Sequence, residues 1–250
     1  MIRKLHFAAA RPSGTFKKLA AAALGAASFA AAPAQAGVIG FEGYYGPVEG
    51  TQVYSESGFN FGFYANVAGG GAGNFVGEFI DGADPTYCVN MACPVNNPSM
   101  YYGALNDSYI DITSETAGRS FQVKSLDASF IGASTVLGSY PTYPGFLRLQ
   151  GIRANGTYAL QDFLFGRPPA AGFQFGHYNT TASFAAEKFV ELLMFGFTCD
   201  TGGNCSAFQT MQGQFGIDNL ELVEVPEPAS ALMVGLGLLG LAGARRRKAA

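Results

Sequence analysis

Between Gly37 and Val225 the sequence predicts an all-β domain, built as an antiparallel β-sandwich. Three observations predict it. Short strand-like runs recur every ten to fifteen residues or so, separated by Gly, Pro, Asn and Asp, which is the rhythm of strands and turns in a sandwich. The region is rich in Gly, Phe and Tyr and poor in Lys, with no Trp in the chain, a composition suited to pleated, half-buried strands. It also lacks convincing amphipathic helices, any internal repeat, and any Rossmann or P-loop fingerprint. At 189 residues the region is long enough for one domain with its own core.

Gly37–Glu42 opens the domain. Gly58–Tyr64 alternates cleanly, with aromatics on one face and small or polar residues on the other. Asn66–Asn74 is glycine-dense and reads as a loop, and Asp81–Ser99, with three prolines, reads as a second irregular stretch. Strands are then expected at Ser108–Ile112, Phe121–Ile131, Gly145–Gly151, Leu160–Phe165 and Gly172–His177, the last two flanking the turn at Arg167–Pro169. Phe189–Phe197 is the longest apolar segment. Ala185–Met194 fits a helix with Glu187 and Glu191 four apart, but its β-branched and aromatic content assigns it to a strand. Gly213–Val225 closes the domain, with a bulge expected near Asp218-Asn219.

Charge narrows the partners. Nine of the fifteen basic residues lie outside this region, which holds six basic against seventeen acidic residues, a net of −11. Such a surface repels nucleic acid and acidic polymers, so nucleic-acid binding is set aside. The four cysteines form two local pairs, Cys88 with Cys93 and Cys199 with Cys205. Two loop-clipping disulfides are the favoured reading; a four-thiolate zinc site is the rival, with spacings loose for a zinc knuckle.

Both ends of the chain read as addresses. Arg3, Lys4, Arg11, Lys17 and Lys18 precede an Ala-rich apolar stretch, Leu19–Ala32, and the small-x-small step Ala34-Gln35-Ala36. This is the pattern of a signal peptide spanning 1–36, cut between Ala36 and Gly37. At the other end Pro226-Glu227-Pro228 leads into an apolar run, Ala229–Ala244, and then into Arg245, Arg246, Arg247 and Lys248. Sixteen helical residues span about 24 Å, short of a bilayer core of about 30 Å, a deficit that snorkelling arginines and local thinning make up. The basic stop places the C-terminus in the cytoplasm. The tail 226–250 resembles the PEP-CTERM sorting tail of exported bacterial proteins, with Pro226, Glu227 and Pro228 as its namesake motif. That resemblance implies processing by an exosortase-type enzyme, transient anchoring in the membrane through the C-terminal helix, and delivery to the cell surface or extracellular matrix of a Gram-negative bacterium.

Within the domain, Gln214-Phe215-Gly216-Ile217-Asp218-Asn219-Leu220 resembles the terminal strand of jelly-roll carbohydrate-binding modules, and Gln214, Phe215 and Asp218 resemble the Gln-Phe-x-x-Asp signature of a PEP-CTERM subgroup. The jelly-roll resemblance implies a structural Ca2+ held by Glu42 and Asp218, chemistry a hard cation favours. The alternative is that Asp218 and Asn219 cap a bulge through bonds to the backbone. Asp81, Asp84, Asp107 and Asp111 sit near turns, where Asp is expected anyway. There is no Gly-x-Ser-x-Gly elbow and no His-Glu-x-x-His, and a Ser/His/Asp triad would have to use His177, the one histidine of the mature region. Seventeen acids guarantee some close carboxylate pairs, so such pairs alone do not mark a glycosidase. Asn-x-Ser/Thr triplets at Asn106, Asn155, Asn179 and Asn204 are no more than chance provides in this composition.

The expectation is a non-enzymatic structural protein associated with exopolysaccharide and biofilm. A carbohydrate-binding module with structural calcium is the alternative, and a glycan-active hydrolase the third reading. Exposed tyrosines on one sheet face, among Tyr44, Tyr45, Tyr101, Tyr102, Tyr140 and Tyr143, would favour the module; the same tyrosines packed away would favour the structural role.

Overall fold

The alternation in the sequence becomes two antiparallel sheets laid face to face. The computed structural model describes residues 36–225 apart from 89. Residues 1–35 of the expected leader 1–36, the sorting motif 226–228, the apolar run 229–244 and the basic stop 245–248 lie outside the described residues; Ala36 is the first residue of the first strand. The strands are β1 (Ala36–Ile39), β2 (Gly46–Glu49), β3 (Val53–Glu56), β4 (Phe59–Ala65), β5 (Phe75–Asp81), β6 (Met100–Ala104), β7 (Ser108–Ser114), β8 (Phe121–Phe130), β9 (Gly145–Ile152), β10 (Tyr158–Phe165) and β11 (Gly176–Asn179). A short helix, α1 (Ala182–Ala186), precedes β12 (Glu191–Cys199), β13 (Cys205–Ser206) and β14 (Phe215–Glu224). Among the described residues no helix is long and apolar enough to cross a membrane.

The first sheet runs β11-β8-β14-β6-β5-β2, with β1 also on β14, and the second runs β10-β9-β12-β7-β4-β3, with β13 on β12. The last strand is therefore a central one. It pairs with β8 along its length, with β6 over Phe215–Ile217 and with β1 over Leu220–Val223. Pairing of the first and last strands closes the domain on itself, so residues 36–225 form a self-contained unit with its own core. Gly37 is required in β1, because a Cβ there would lie 2.8 Å from Cβ of Ser57.

The facing sides interdigitate Phe59, Phe61 and Phe63 of β4, Ile110 and Ile112 of β7, Leu147 and Leu149 of β9, and Leu192 and Met194 of β12 with Phe79, Tyr102, Val123, Leu126, Phe215 and Ile217 of the first sheet, all fully buried or nearly so. Each such side chain contributes about 1.5–3 kcal/mol on burial. At one end of the core Phe63 lies 4.2 Å from Tyr102, and Phe41, Phe79 and Tyr102 pack within 6.3 Å of one another.

Most expected strands are present. The bulge is too: the β14–β8 register shifts between Asp218 and Glu221, where Asn219 takes φ +48°. Three expectations are corrected. Ala185–Met194 is not one strand: Thr181 caps α1 by accepting from the backbone N–H of Phe184 (3.4 Å), and the strand starts only at Glu191. Gly172–His177 is a strand only from Gly176. Strands β2, β3, β5, β6 and the two-residue β13 are not among the expected ones; β6 shows no alternation because all five of its residues are buried.

Candidate functional site

The outward faces of the two sheets carry the polar side chains that chemistry would need, and they differ. The first face is roofed. The irregular stretch 82–99 folds across β5, β6 and β14, clipped by the Cys88–Cys93 disulfide, and a second disulfide joins Cys199 to Cys205 beyond β12. No free cysteine remains among the described residues, which removes the zinc reading. Under the roof Tyr101 packs edge-on against Phe175, 5.1 Å between centroids, and both rings lie over Gly216. A hollow of about 410 Å³ opens beside them, lined by Ile80, Tyr101, Leu137 and the Cys88–Cys93 bridge.

Glu42 and Asp218 both border Gly40: a Cβ on that glycine would lie 3.7 Å from Asp218 Oδ1 and 3.9 Å from Glu42 Cγ. Their chemistry differs, however. Asp218 is buried, its Oδ2 accepting from Asn97 Nδ2 (2.7 Å) and Ser99 Oγ (3.1 Å) and its Oδ1 from the Asn219 N–H (2.7 Å). Glu42 is exposed. A carboxylate filled by three donors is a cap and a tie for the roof, not half of a cation cage, and no three His, Cys, Asp or Glu gather anywhere among the described residues. The donor set does not fit calcium. Burial, offset by the donors, pushes the Asp218 carboxyl above the usual range.

The same face carries His177, opposite Asp127 on the neighbouring strand; Nδ1 lies 2.8 Å from Asp127 Oδ1, and Asp127 Oδ2 accepts from Asn219 Nδ2 (2.8 Å). The pair has the acid–histidine half of a triad, but Ser99 is bonded to Asn97 and Asp218 instead. Asp81 and Asp84 accept from the N–H groups of Ala83 and Thr86, as turn residues do. Asp107 ties down a distant loop, accepting from the N–H groups of Thr210, Met211 and Gly213.

The second face is open, and it holds what sequence reasoning missed. Tyr64, Tyr109, Phe195, Phe197 and Phe146 come from β4, β7, β12 and β9 and form a row across the strands. Tyr64 stacks on Tyr109 (5.4 Å) and Phe146 on Phe197 (4.2 Å), and Phe208 joins them from the loop 207–214. The Arg148 guanidinium lies 4.8 Å over Phe197 while holding Asp162 through two 2.7 Å bonds. Neighbouring strands are about 4.8 Å apart, so rings stacked between strands cover part of one another's faces. Asp111 sits in this row with Oδ1 enclosed and lacking a hydrogen-bond partner. Burial first, and the charge of Glu191 second, push its carboxyl up to about 6. Only the cross-strand register brings these residues together, so no contiguous motif announces them.

The tyrosines that would have made a sugar-stacking face are mostly used elsewhere. Tyr101 and Tyr102 are fully buried, Tyr44 packs between Tyr54 and Phe79 with its hydroxyl on Ser55 O, and Tyr140 donates to Ser134 O at 2.7 Å. Tyr45 and Tyr143 remain exposed.

Comparison with known proteins bears on the end of the chain. Residues 224–248 match the family model of the PEP-CTERM protein-sorting motif. The chain carries a PEP-CTERM sorting motif. It contains Pro226, Glu227, Pro228 and the basic stop, and it implies an exported protein sorted by an exosortase. No curated protein matches the sequence. Among solved structures, an arabinose-bound α-L-arabinofuranosidase aligns at 10% identity with TM-score 0.33, over 74% of this chain but only 27% of that one. A CBM32-3 module from a family 31 glycoside hydrolase of Clostridium perfringens aligns at 9% identity with TM-score 0.25, over 52% of this chain and 79% of the module.

Proposed function

We propose that the PEP-CTERM protein is a non-enzymatic structural component of an exopolysaccharide-rich extracellular matrix, reached through an exosortase-type enzyme after a transient stay in the membrane. The observation that carries this reading is where the aromatic side chains go. Four of the six tyrosines that could have made a sugar-stacking face, Tyr44, Tyr101, Tyr102 and Tyr140, are packed into the core or under loops, and on the open face Tyr64 and Tyr109, and Phe146 and Phe197, stack on one another. Two disulfides clip loops of a closed sandwich, a build suited to an oxidising exterior. The net charge of −11 favours neutral or cationic matrix components over acidic ones.

The test is to express the full chain, tagged within an exposed loop, in a host with and without a cognate exosortase. The expected result is a tail-less form in the extracellular matrix fraction with the enzyme, and full-length membrane-bound protein without it or in the Pro226→Ala, Glu227→Ala, Pro228→Ala triple variant. Identical fractionation in all three strains would sink the sorting reading. Release of sugar from a polysaccharide panel by the purified domain would sink the structural one.

A further inference from the structure

The charge of the mature domain is sharply divided along the sequence, and the sheet order turns that division into two poles. All six basic residues lie between Arg119 and Lys188, with three acidic ones, Asp127, Asp162 and Glu187; residues 37–118 and 189–225 hold fourteen acidic residues and no basic one. Five of the six, Lys124, Arg148, Arg153, Arg167 and Lys188, sit on β8, on β9, or on the connections beside β10 and α1; Arg148 and Arg153 are ion-paired there with Asp162 and Glu187, and with Asp127 counted as well this end keeps a net charge of +2 (5 − 3). Strands β10 and β11 are the edges of the two sheets at one end of the sandwich, and Tyr178 of β11 packs on Phe163 of β10 there (5.1 Å). Strands β2 and β3 are the edges at the other end, which carries Glu42, Glu49, Glu56, Glu78 and Glu115.

Each pole also exposes large apolar side chains. On the basic edge these are Tyr158, Leu160 and Leu164, 61%, 44% and 51% exposed; on the acidic edge they are Tyr45 and Val53, 73% and 57% exposed. Backbone pairing across the acidic edge is obstructed, because the Tyr44 hydroxyl occupies Ser55 O and the Glu56 carboxylate holds the N–H groups of Gly40 and Phe41. Contact there is made by side chains.

We propose that the partner of each pole is the opposite pole of a second copy, so that the basic β10–β11 end of one domain docks on the acidic β2–β3 end of the next. The two surfaces differ, so the contact is heterologous; it does not close on itself and generates open strings, as a scaffold protein would require. Opposite charge steers the ends together and like charge keeps the acidic ends apart. The inference extends the structural reading, but its test uses the purified domain and does not depend on sorting.

The experiment is sedimentation velocity and light scattering on the 37–225 domain at about 100 μM, a concentration that reveals contacts of micromolar affinity, in low salt and again at about 300 mM salt, where screening is strong. Strings longer than dimers at low salt that shorten at high salt are expected. Val53→Arg and Leu160→Glu each place the wrong charge at one exposed edge position without touching the core. Each variant alone is expected to stay monomeric, with at least tenfold weaker association. Mixed one to one, each retains the edge the other lacks, so the pair forms a dimer and stops. A monomeric wild type, variants that assemble like wild type, or a mixture that gives no dimer would each overturn head-to-tail docking. Far-UV circular dichroism and melting temperature establish that both variants are folded.

Discussion

The two outward faces of this sandwich answer the same problem differently. Each strand of an antiparallel sheet points alternate residues away from the core, and those residues need water, a cover, or one another. The first sheet uses a cover: the loop 82–99 seals Tyr101, Gly216 and Asp218, and the price in buried polar groups is met by matched bonds from Asn97, Ser99 and Asn219. The second sheet has no such cover, so its outward residues cover one another as stacked ring pairs, the Phe146–Phe197 pair under Arg148. The cost of that economy is Asp111, whose enclosed oxygen finds no donor. Asp218 under the roof is satisfied and Asp111 on the open face is not, which separates an acid that holds the fold from one that strains it.

The contrast predicts its largest effect at the aromatic residues. Tyr101→Ala empties a fully enclosed position against Phe175 and is expected to cost about 4 kcal/mol, in the range for large-to-small changes in cores. Tyr109→Ala, on the open face, loses one stacked neighbour and costs about 1 kcal/mol. Urea unfolding measures both. Equal losses would mean that the open row is as tightly packed as the roofed one.

Next comes Asp218→Ala, expected to cost about 2 kcal/mol by leaving its three donors without an acceptor under the roof. Calcium should leave the melting temperature of wild type and variant alike unmoved, since a ligand raises stability only by binding the native state. A calcium-dependent rise in wild type that the variant lacks would restore the cation site. Replacing Cys88 and Cys93 with Ser removes a five-residue sequence separation from the cross-linked set and is expected to cost about 2 kcal/mol. That loss should lower the protection from hydrogen exchange of the 82–99 roof more than that of β7 or β12.

What was legible in the sequence follows from contiguity. The sorting tail and the two cysteine pairs are local patterns, and the alternation of Phe59, Phe61 and Phe63 marks β4 because one face of that strand points to solvent. Strand β6, Met100–Ala104, is buried on both faces by the roof and so carries no period to read. The open aromatic row was invisible for a different reason. Tyr64, Tyr109, Phe146 and Phe197 meet only through the register of four strands, and a shift of one residue in any of them would turn its ring into the core. The partners of Asp218 are not legible in the sequence, because the Asn97 and Ser99 that bond its Oδ2 arrive from a loop with no pattern of its own.

The smallest effect, and the one that tests the contrast most directly, is at Asp111. Its carboxyl is pushed up to about 6 by burial and then by Glu191, whereas in the unfolded chain it titrates at the ordinary 3.8. Between those values the native state holds the proton that the unfolded state has released, so this residue lowers stability as pH rises through the window and contributes nothing below it. Asp111→Asn removes that penalty. With part of the shift discounted for its partial exposure, the variant should be about 1 kcal/mol more stable than wild type at pH 7 and equal to it near pH 3.5. Asp218→Asn should not gain in the same way, because its carboxylate holds three donors that an amide cannot all accept. An Asp111→Asn variant that is less stable than wild type at pH 7 would show that the open face has a use for this charge, and would make the row around Tyr64 and Tyr109 the first place to look for a ligand.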